Sequence, residues 1–167
     1  IAGHCTAIPS LIEGQAFDFN QITVRSYACR EVQGNIWVFM DDGNKTVDPL
    51  PSPPQISDID ERQPDISHSV NFPAHVDHAV IGLMDPAHGP FVHQAWWWRK
   101  RHSIHEKSKQ FMPSYLGFTM VRHTPSTNSA AYRILGEDIT TEISFQLPGV
   151  RIERVSAGSR LLCGLTA

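Results

Sequence analysis

The chain has 167 residues and a formal net charge of -3, with 41% hydrophobic and 19% charged residues. This composition is that of an ordinary globular protein, and the length is enough for one sizeable core or for parts of two domains. The small acidic surplus gives no support to nucleic-acid binding, where a basic surplus is expected. The sequence also lacks an apolar run long enough to cross a membrane.

Three cysteines are widely spaced along the chain, at Cys5, Cys29 and Cys163. They fit neither a disulfide framework nor a CxxC metal site. We therefore expect reduced thiols and a cytoplasmic location. Both ends of the sequence look internal, because Ile1 is not a methionine and residues 159–167 read as a strand that is still in progress. We expect an internal fragment of a longer protein.

The first 42 residues are rich in predicted strands. Residues 22–27 alternate between apolar and polar types, which is typical of a half-buried strand. Residues 35–40 form a continuous apolar run, which indicates a strand buried on both faces. Between them, Gly34 predicts a bulge or a tight turn. Residues 43–66 then carry five prolines with acidic residues between them, and they predict an extended connector.

The remaining residues predict a helix followed by strands. Residues 74–85 place Val76, Val80 and Leu83 at helical spacing, and Pro86 and the Gly89-Pro90 pair end or kink this helix. Strands are predicted at residues 115–122, 130–135, 140–147 and 150–155.

The residues that carry chemistry lie in the stretch Asp85-Pro-Ala-His88-Gly-Pro-Phe-Val-His93. A continuous helix would place His78, Asp85 and His88 on one face. The Gly89-Pro90 break is expected to bring His93 round towards the same space. Two imidazoles and a carboxylate on one side of an ion form the facial triad of ferrous oxygenases, which leaves positions open for dioxygen and substrate.

Taken alone, a pair of histidines five residues apart is a weak signal, because the chain contains nine histidines. Polar or surface histidines are the alternative at this point. A zinc peptidase is excluded by the absence of the HExxH pattern.

In its context, the stretch from Asp85 to His93 resembles the iron-binding segment of the Rieske non-haem iron oxygenases, the aromatic ring-hydroxylating dioxygenase alpha subunits. Residues 3–10 (Gly-His-Cys-Thr-Ala-Ile-Pro-Ser), 24–27 (Val-Arg-Ser-Tyr) and 31–38 (Glu-Val-Gln-Gly-Asn-Ile-Trp-Val) are similar to the closing strands of the family's Rieske domain. The resemblance covers nearly the whole chain. The vanillate demethylase and pheophorbide oxygenase-like branch is closer than the naphthalene dioxygenase branch.

The resemblance implies an α+β fold in three parts. Residues 1–42 would be the C-terminal part of a Rieske β domain without its cluster ligands, and residues 43–66 the Pro-rich connector. Residues 67–167 would be the N-terminal part of a helix-grip (Bet v 1-like) catalytic domain, left incomplete in this chain.

The resemblance also implies residue roles and an activity. His88 and His93 would be ligands of a mononuclear Fe(II), and Asp85 would link a ligand histidine to a cluster ligand of a neighbouring subunit. The full-length parent would pass electrons from a ferredoxin or reductase through a 2Fe-2S cluster to this iron. With O2, it would hydroxylate or demethylate an aromatic or ring-bearing substrate. A homo-oligomer is implied, a trimer as in the family.

Two features depart from the family pattern. No Cys-x-His or Cys-x-x-His motif occurs, so the cluster ligands are absent from this chain. The family's third iron ligand is a downstream carboxylate, which we expect beyond Ala167, so the fragment by itself is expected to be inactive. The carboxylates inside the chain are expected to be surface or turn residues: Glu106, Glu137, Asp138, Glu142 and Glu153.

Two other functions stay open. One is a metal-free helix-grip domain that binds an apolar ligand in its cavity, and the other is a zinc-loaded structural site. The aromatic run at residues 96–98 would line a substrate pocket or pack under the helix. The basic residues at 99–102 with Lys107 and Lys109 would form a solvated face or dock an acidic electron-transfer partner.

Overall fold

The computed structural model describes residues 3–41, 48–57, 59, 64–93, 108–125 and 130–167. The chain divides into two units, and each has its own secondary structure. The first unit is Ile1–Gln55 with Ile59–Asp65, and the second is Ile56–Asp58 with Ile66–Ala167. The assignment of residues 1–42, 43–66 and 67–167 to a Rieske tail, a connector and a catalytic domain stays a prediction.

The first unit is built on an antiparallel hairpin of β1 (Ala28–Val32) and β2 (Asn35–Phe39). Its two-residue turn has positive φ at both positions, 52° at Gln33 and 74° at Gly34. A turn of this kind follows the right-handed twist of paired strands, and glycine adopts it without strain. The tight turn predicted at Gly34 is confirmed.

Two predictions for the first unit are wrong. Residues 22–27 form no strand, because the pairing described there is an isolated bridge between His4 and Thr23. β2 is not buried on both faces, since Ile36 is 73% and Val38 51% exposed. Apolar composition alone does not bury a strand, and burial needs a second layer of structure against that face.

The second unit begins with two helices. Helix α1 (Val76–Met84) is capped by His75, whose Nδ1 accepts a hydrogen bond from the Asp77 backbone N–H. It is followed by the single turn α2 (Gly89–Val92). The helix predicted over residues 74–85 is confirmed within two residues at each end. Among the described residues, no helix is long and apolar enough to cross a membrane.

A five-stranded antiparallel sheet makes up the rest of the second unit, in the order β3-β4-β5-β6-β7. Its strands are β3 (Phe111–Ser114), β4 (Gly117–His123), β5 (Ile139–Gln146), β6 (Val150–Ala157) and β7 (Arg160–Thr166). Each strand pairs with the next along the chain. The chain is therefore a sheet-rich α+β protein, as predicted at that level.

Helix α3 (Ala130–Leu135) lies between β4 and β5, where a strand was predicted. That prediction is wrong. Ala, Arg and Leu are among the strongest helix formers, and the segment lacks the apolar-polar alternation of a half-buried strand.

The buried side chains of the sheet come mostly from its central strands. Met120 of β4 is the most buried, at 2% exposure. The other buried side chains described in the sheet are Ile139, Thr141 and Phe145 of β5, and Val150, Ile152 and Ala157 of β6. The ring of Phe118 lies between those of Phe111 and Phe145, with centroids 5.8 and 5.6 Å away. The three rings form an aromatic row across three strands.

Candidate metal centre

The two predicted histidines are brought together by the local fold of residues 85–93. Helix α1 ends at Met84, and Asp85 is its C-cap. The backbone N–H of Asp85 donates to the carbonyl of Ile81 at 2.9 Å. Asp85 is extended, with φ −70° and ψ 112°. Proline disfavours helical geometry in the residue before it, so Pro86 explains why the helix stops there.

The helix break predicted at Pro86 is confirmed, and the one predicted at Gly89-Pro90 is wrong. Gly89 and Pro90 do not interrupt a helix; they begin α2. Proline is accepted in the first turn of a helix, where its missing N–H is not needed. The chain instead breaks at Pro86, so His88 does not lie on α1 and does not share a helical face with His78.

His88 starts the short helix and His93 follows it. The His88 carbonyl accepts from the backbone N–H groups of Phe91 at 2.9 Å and Val92 at 2.8 Å. This single turn brings the chain round so that the two imidazole rings meet edge to face, with centroids 5.2 Å apart and planes inclined by 66°. Their Nε2 atoms are 3.2 Å apart.

The tautomer of His88 follows from the hydrogen bond that its Nδ1 makes with Asp85. Nδ1 lies 2.6 Å from the main-chain oxygen of Asp85. A carbonyl oxygen only accepts, so the neutral ring carries its proton on Nδ1 and leaves the lone pair on Nε2. Metal-binding histidines are held in the same way, with the second nitrogen donating to a carbonyl or carboxylate.

The separation of the Nε2 atoms fits two ligands of one metal ion. With metal–nitrogen bonds of about 2.0–2.1 Å, two nitrogens at this separation subtend about 100° at a shared ion. This nitrogen–metal–nitrogen angle lies between those of octahedral and tetrahedral coordination. The same 3.2 Å separation also suits a hydrogen bond from Nε2–H of His93 to Nε2 of His88.

Asp85 lies beside the pair, and its carboxylate bonds to the backbone of the next turn rather than to His88. Oδ1 accepts from the backbone N–H of Ala87 at 2.7 Å. The group that reaches His88 is the main-chain carbonyl of Asp85. Sequence reasoning missed this contact, although an Asp-Pro pair three residues before a histidine is a signal for a turn at this position.

Within the described ranges, no group of three or more His, Cys, Asp or Glu side chains is placed to hold a metal ion. Glu142 and Glu153 are engaged elsewhere, with Arg154 at 3.5 Å and Arg151 at 2.8 Å respectively. Glu137 and Asp138 are exposed in the turn before β5. Glu106, the tryptophans at 96–98 and the basic residues at 99–107 lie outside the described residues.

Comparisons of the chain with protein-family models, curated proteins and solved structures find no match.

Proposed function

We propose that His88 and His93 are two ligands of a mononuclear Fe(II) in a Rieske-type oxygenase. The parent enzyme would use O2 and electrons from a ferredoxin or reductase to hydroxylate or demethylate an aromatic or ring-bearing substrate. The strongest support is the 3.2 Å separation of the Nε2 atoms of His88 and His93. In the His88 ring the proton is held on Nδ1, so that Nε2 keeps its lone pair.

The residues described here would hold and orient the ion. With the ion bound, His88 and His93 would each offer an Nε2 lone pair, and imidazole nitrogen suits ferrous iron. The Asp85 carbonyl keeps the His88 ring in the tautomer that binds. When bound, Fe(II) with open positions supplies the oxygen chemistry. The third ligand, a downstream carboxylate, and the 2Fe-2S cluster belong to the proposal only through the family resemblance.

We also propose that the second unit is part of a helix-grip catalytic domain. An antiparallel sheet with sequential strand order supports this at the level of architecture. The family's homo-oligomer, and the role of Asp85 as a link between cluster and iron across subunits, are part of the same proposal.

The rival functions make different use of the histidine pair. In a metal-free helix-grip domain that binds an apolar ligand, His93 would simply donate to His88. In a zinc-loaded structural site, the same two nitrogens would bind a closed, four-coordinate ion. The rivals therefore differ in which metal, if any, the purified protein carries.

Metal analysis of the full-length protein, purified without oxygen, tests the proposal. The expected result is iron that a ferrous chelator removes while the visible absorption of the cluster is retained. Removal of this iron should abolish substrate-dependent O2 consumption, and Fe(II) should restore it. Zinc at this site, or no metal that a chelator removes, would overturn the proposal.

A further inference from the structure

An ion pair of β6 lies on the same face of the sheet as the aromatic row. Strand register places Arg151 opposite Phe145, and Glu153, two residues further along β6, projects to the same face. Nη2 of Arg151 donates to Oε2 of Glu153 at 2.8 Å, and the hydroxyl of the buried Thr141 donates to Oε1 at 3.5 Å. A hydrogen-bond donor and an acceptor therefore lie side by side next to apolar rings.

The guanidinium of Arg151 is largely withdrawn from water. Its side chain is 17% exposed, and its Nε is buried with no hydrogen-bond partner among the described residues. Hydrogen bonds are stronger in such a desolvated environment than on an open surface. An oxygen of a ligand that accepts from a terminal nitrogen of Arg151 would therefore bind more favourably here than at a fully hydrated arginine.

Open space adjoins this ion pair at Gly164 of β7. Gly164 is the direct cross-strand partner of Glu153, so a side chain at this position would project to the same face. A Cβ on Gly164 would meet no atom within 4 Å. Leu162, two residues earlier on the same face, is exposed. The ion pair is thus bordered by an apolar surface with room for a ligand.

We propose that this face binds a ring compound with a neutral hydroxyl group, and that Arg151 and Glu153 determine this specificity. The ring lies on the apolar surface at Gly164 and Leu162, the hydroxyl oxygen accepts from Arg151, and the hydroxyl proton is donated to Glu153. The inference rests on the proposed function, since it names the class of ring-bearing substrate.

The charge of the ion pair decides between a hydroxyl and a carboxylate on the ligand. Arg151 and Glu153 together have no net charge, and a ligand carboxylate would meet the carboxylate of Glu153. A hydroxyl both donates and accepts, which matches the pair. A carboxylate offers about four acceptor positions, and the bonds described from Arg151 and Thr141 occupy two of them.

Equilibrium dialysis of the full-length protein, kept without oxygen so that no turnover occurs, tests the proposal. The three probes share one ring system: naphthalene, 2-naphthol and 2-naphthoate. We expect 2-naphthol to bind about 3–10-fold more tightly than naphthalene, which is the ratio that one net hydrogen bond supplies. 2-Naphthoate should bind no more tightly than naphthalene.

A charge-removing substitution should reverse this preference. Glu153→Gln removes the charge that repels a carboxylate and leaves Arg151 without its counter-ion, so 2-naphthoate should bind about 10-fold more tightly than to the wild type. Glu142→Gln is the matched control, because Glu142 also pairs with an arginine and has a similar exposure, 27% against 29%. It lies on the opposite face of the sheet and should leave all three affinities unchanged.

Gly164→Val fills the open space without changing the ion pair, so the proposal stays testable even if Glu153→Gln folds poorly. This variant should weaken the binding of all three probes by about 10-fold. Unchanged binding by Gly164→Val, no preference for 2-naphthol in the wild type, or an equal shift in Glu142→Gln would each overturn the proposal.

The metal content of the same wild-type preparation separates this inference from the proposed function. Bound iron without a preference for 2-naphthol would overturn the inference alone. A preference for 2-naphthol in protein that carries no iron would support the binding face and overturn the oxygenase assignment.

Discussion

The imidazole rings of His88 and His93 meet edge to face across one helical turn, with their Nε2 atoms 3.2 Å apart. Among the described residues, the contacts that place the two rings are short-range. Pro86 ends α1, Asp85 closes the next turn, and α2 returns the chain. Nine consecutive residues, 85–93, therefore supply the described contacts that bring the two candidate ligands together.

Arg154 should stabilise the second unit more than Arg122, although both lie beside Glu142. Arg154 has a side chain that is only 13% exposed, and it donates to Ser57 at 2.9 Å as well as pairing with Glu142 at 3.5 Å. Arg122 is 56% exposed and 4.0 Å from the same carboxylate. We expect Arg154→Ala to lower the free energy of unfolding by about 1–3 kcal/mol, and Arg122→Ala by about 0–1 kcal/mol.

Chemical denaturation of the two variants measures this difference. A double-mutant cycle with Ser57→Ala isolates the Arg154–Ser57 hydrogen bond, for which a coupling of about 0.5–1.5 kcal/mol is expected. Equal destabilisation by the two arginine substitutions would contradict this account of the cluster.

Gly117 should tolerate no side chain, whereas Gly164 should accept one. A Cβ on Gly117 would collide with the carbonyl oxygen of Phe145 on the neighbouring strand, while a Cβ on Gly164 would meet no atom within 4 Å. Forcing a methyl group into a closed space typically costs about 1–3 kcal/mol, so Gly117→Ala should lower the free energy of unfolding by that amount.

Gly164→Ala is the matched control on β7. Glycine weakens a strand interior, so this variant should be neutral or slightly more stable than the wild type. Thermal and urea denaturation of both variants test the pair. A neutral Gly117→Ala would show that the close approach of β4 to β5 is absent in solution.

The parts of the fold that sequence could predict are those determined locally. The turn at Gly34, helix α1 and strands β5 and β6 follow from turn residues, helical spacing and strand patterning. The 88–93 histidine pair belongs with them, since a single turn joins its members.

The wrong predictions concern segments whose secondary structure depends on distant contacts or on a small difference between helix and strand preference. Residues 22–27 have a strand pattern, but among the described residues they form a single bridge, between His4 and Thr23. A strand exists where a partner supplies a ladder of hydrogen bonds. In Ala130–Leu135, the helix propensity of Ala, Arg and Leu outweighs the apolar character from which a strand was predicted. Sequence also identifies neither a third ligand of the proposed metal site nor the substrate of the proposed enzyme, since both depend on residues far apart in the chain.

Co²⁺ titration of the iron-depleted, cluster-loaded full-length protein, with His88→Ala, His93→Ala and His68→Ala, tests the central claim most directly. His68 is an exposed histidine outside the helices and serves as the control. We predict that each of the first two substitutions abolishes the EPR signal of bound high-spin Co²⁺, recorded with the cluster oxidised and therefore EPR-silent, while His68→Ala leaves both affinity and spectrum unchanged. Wild-type binding by His88→Ala or by His93→Ala would contradict the claim that the two imidazoles share one ion.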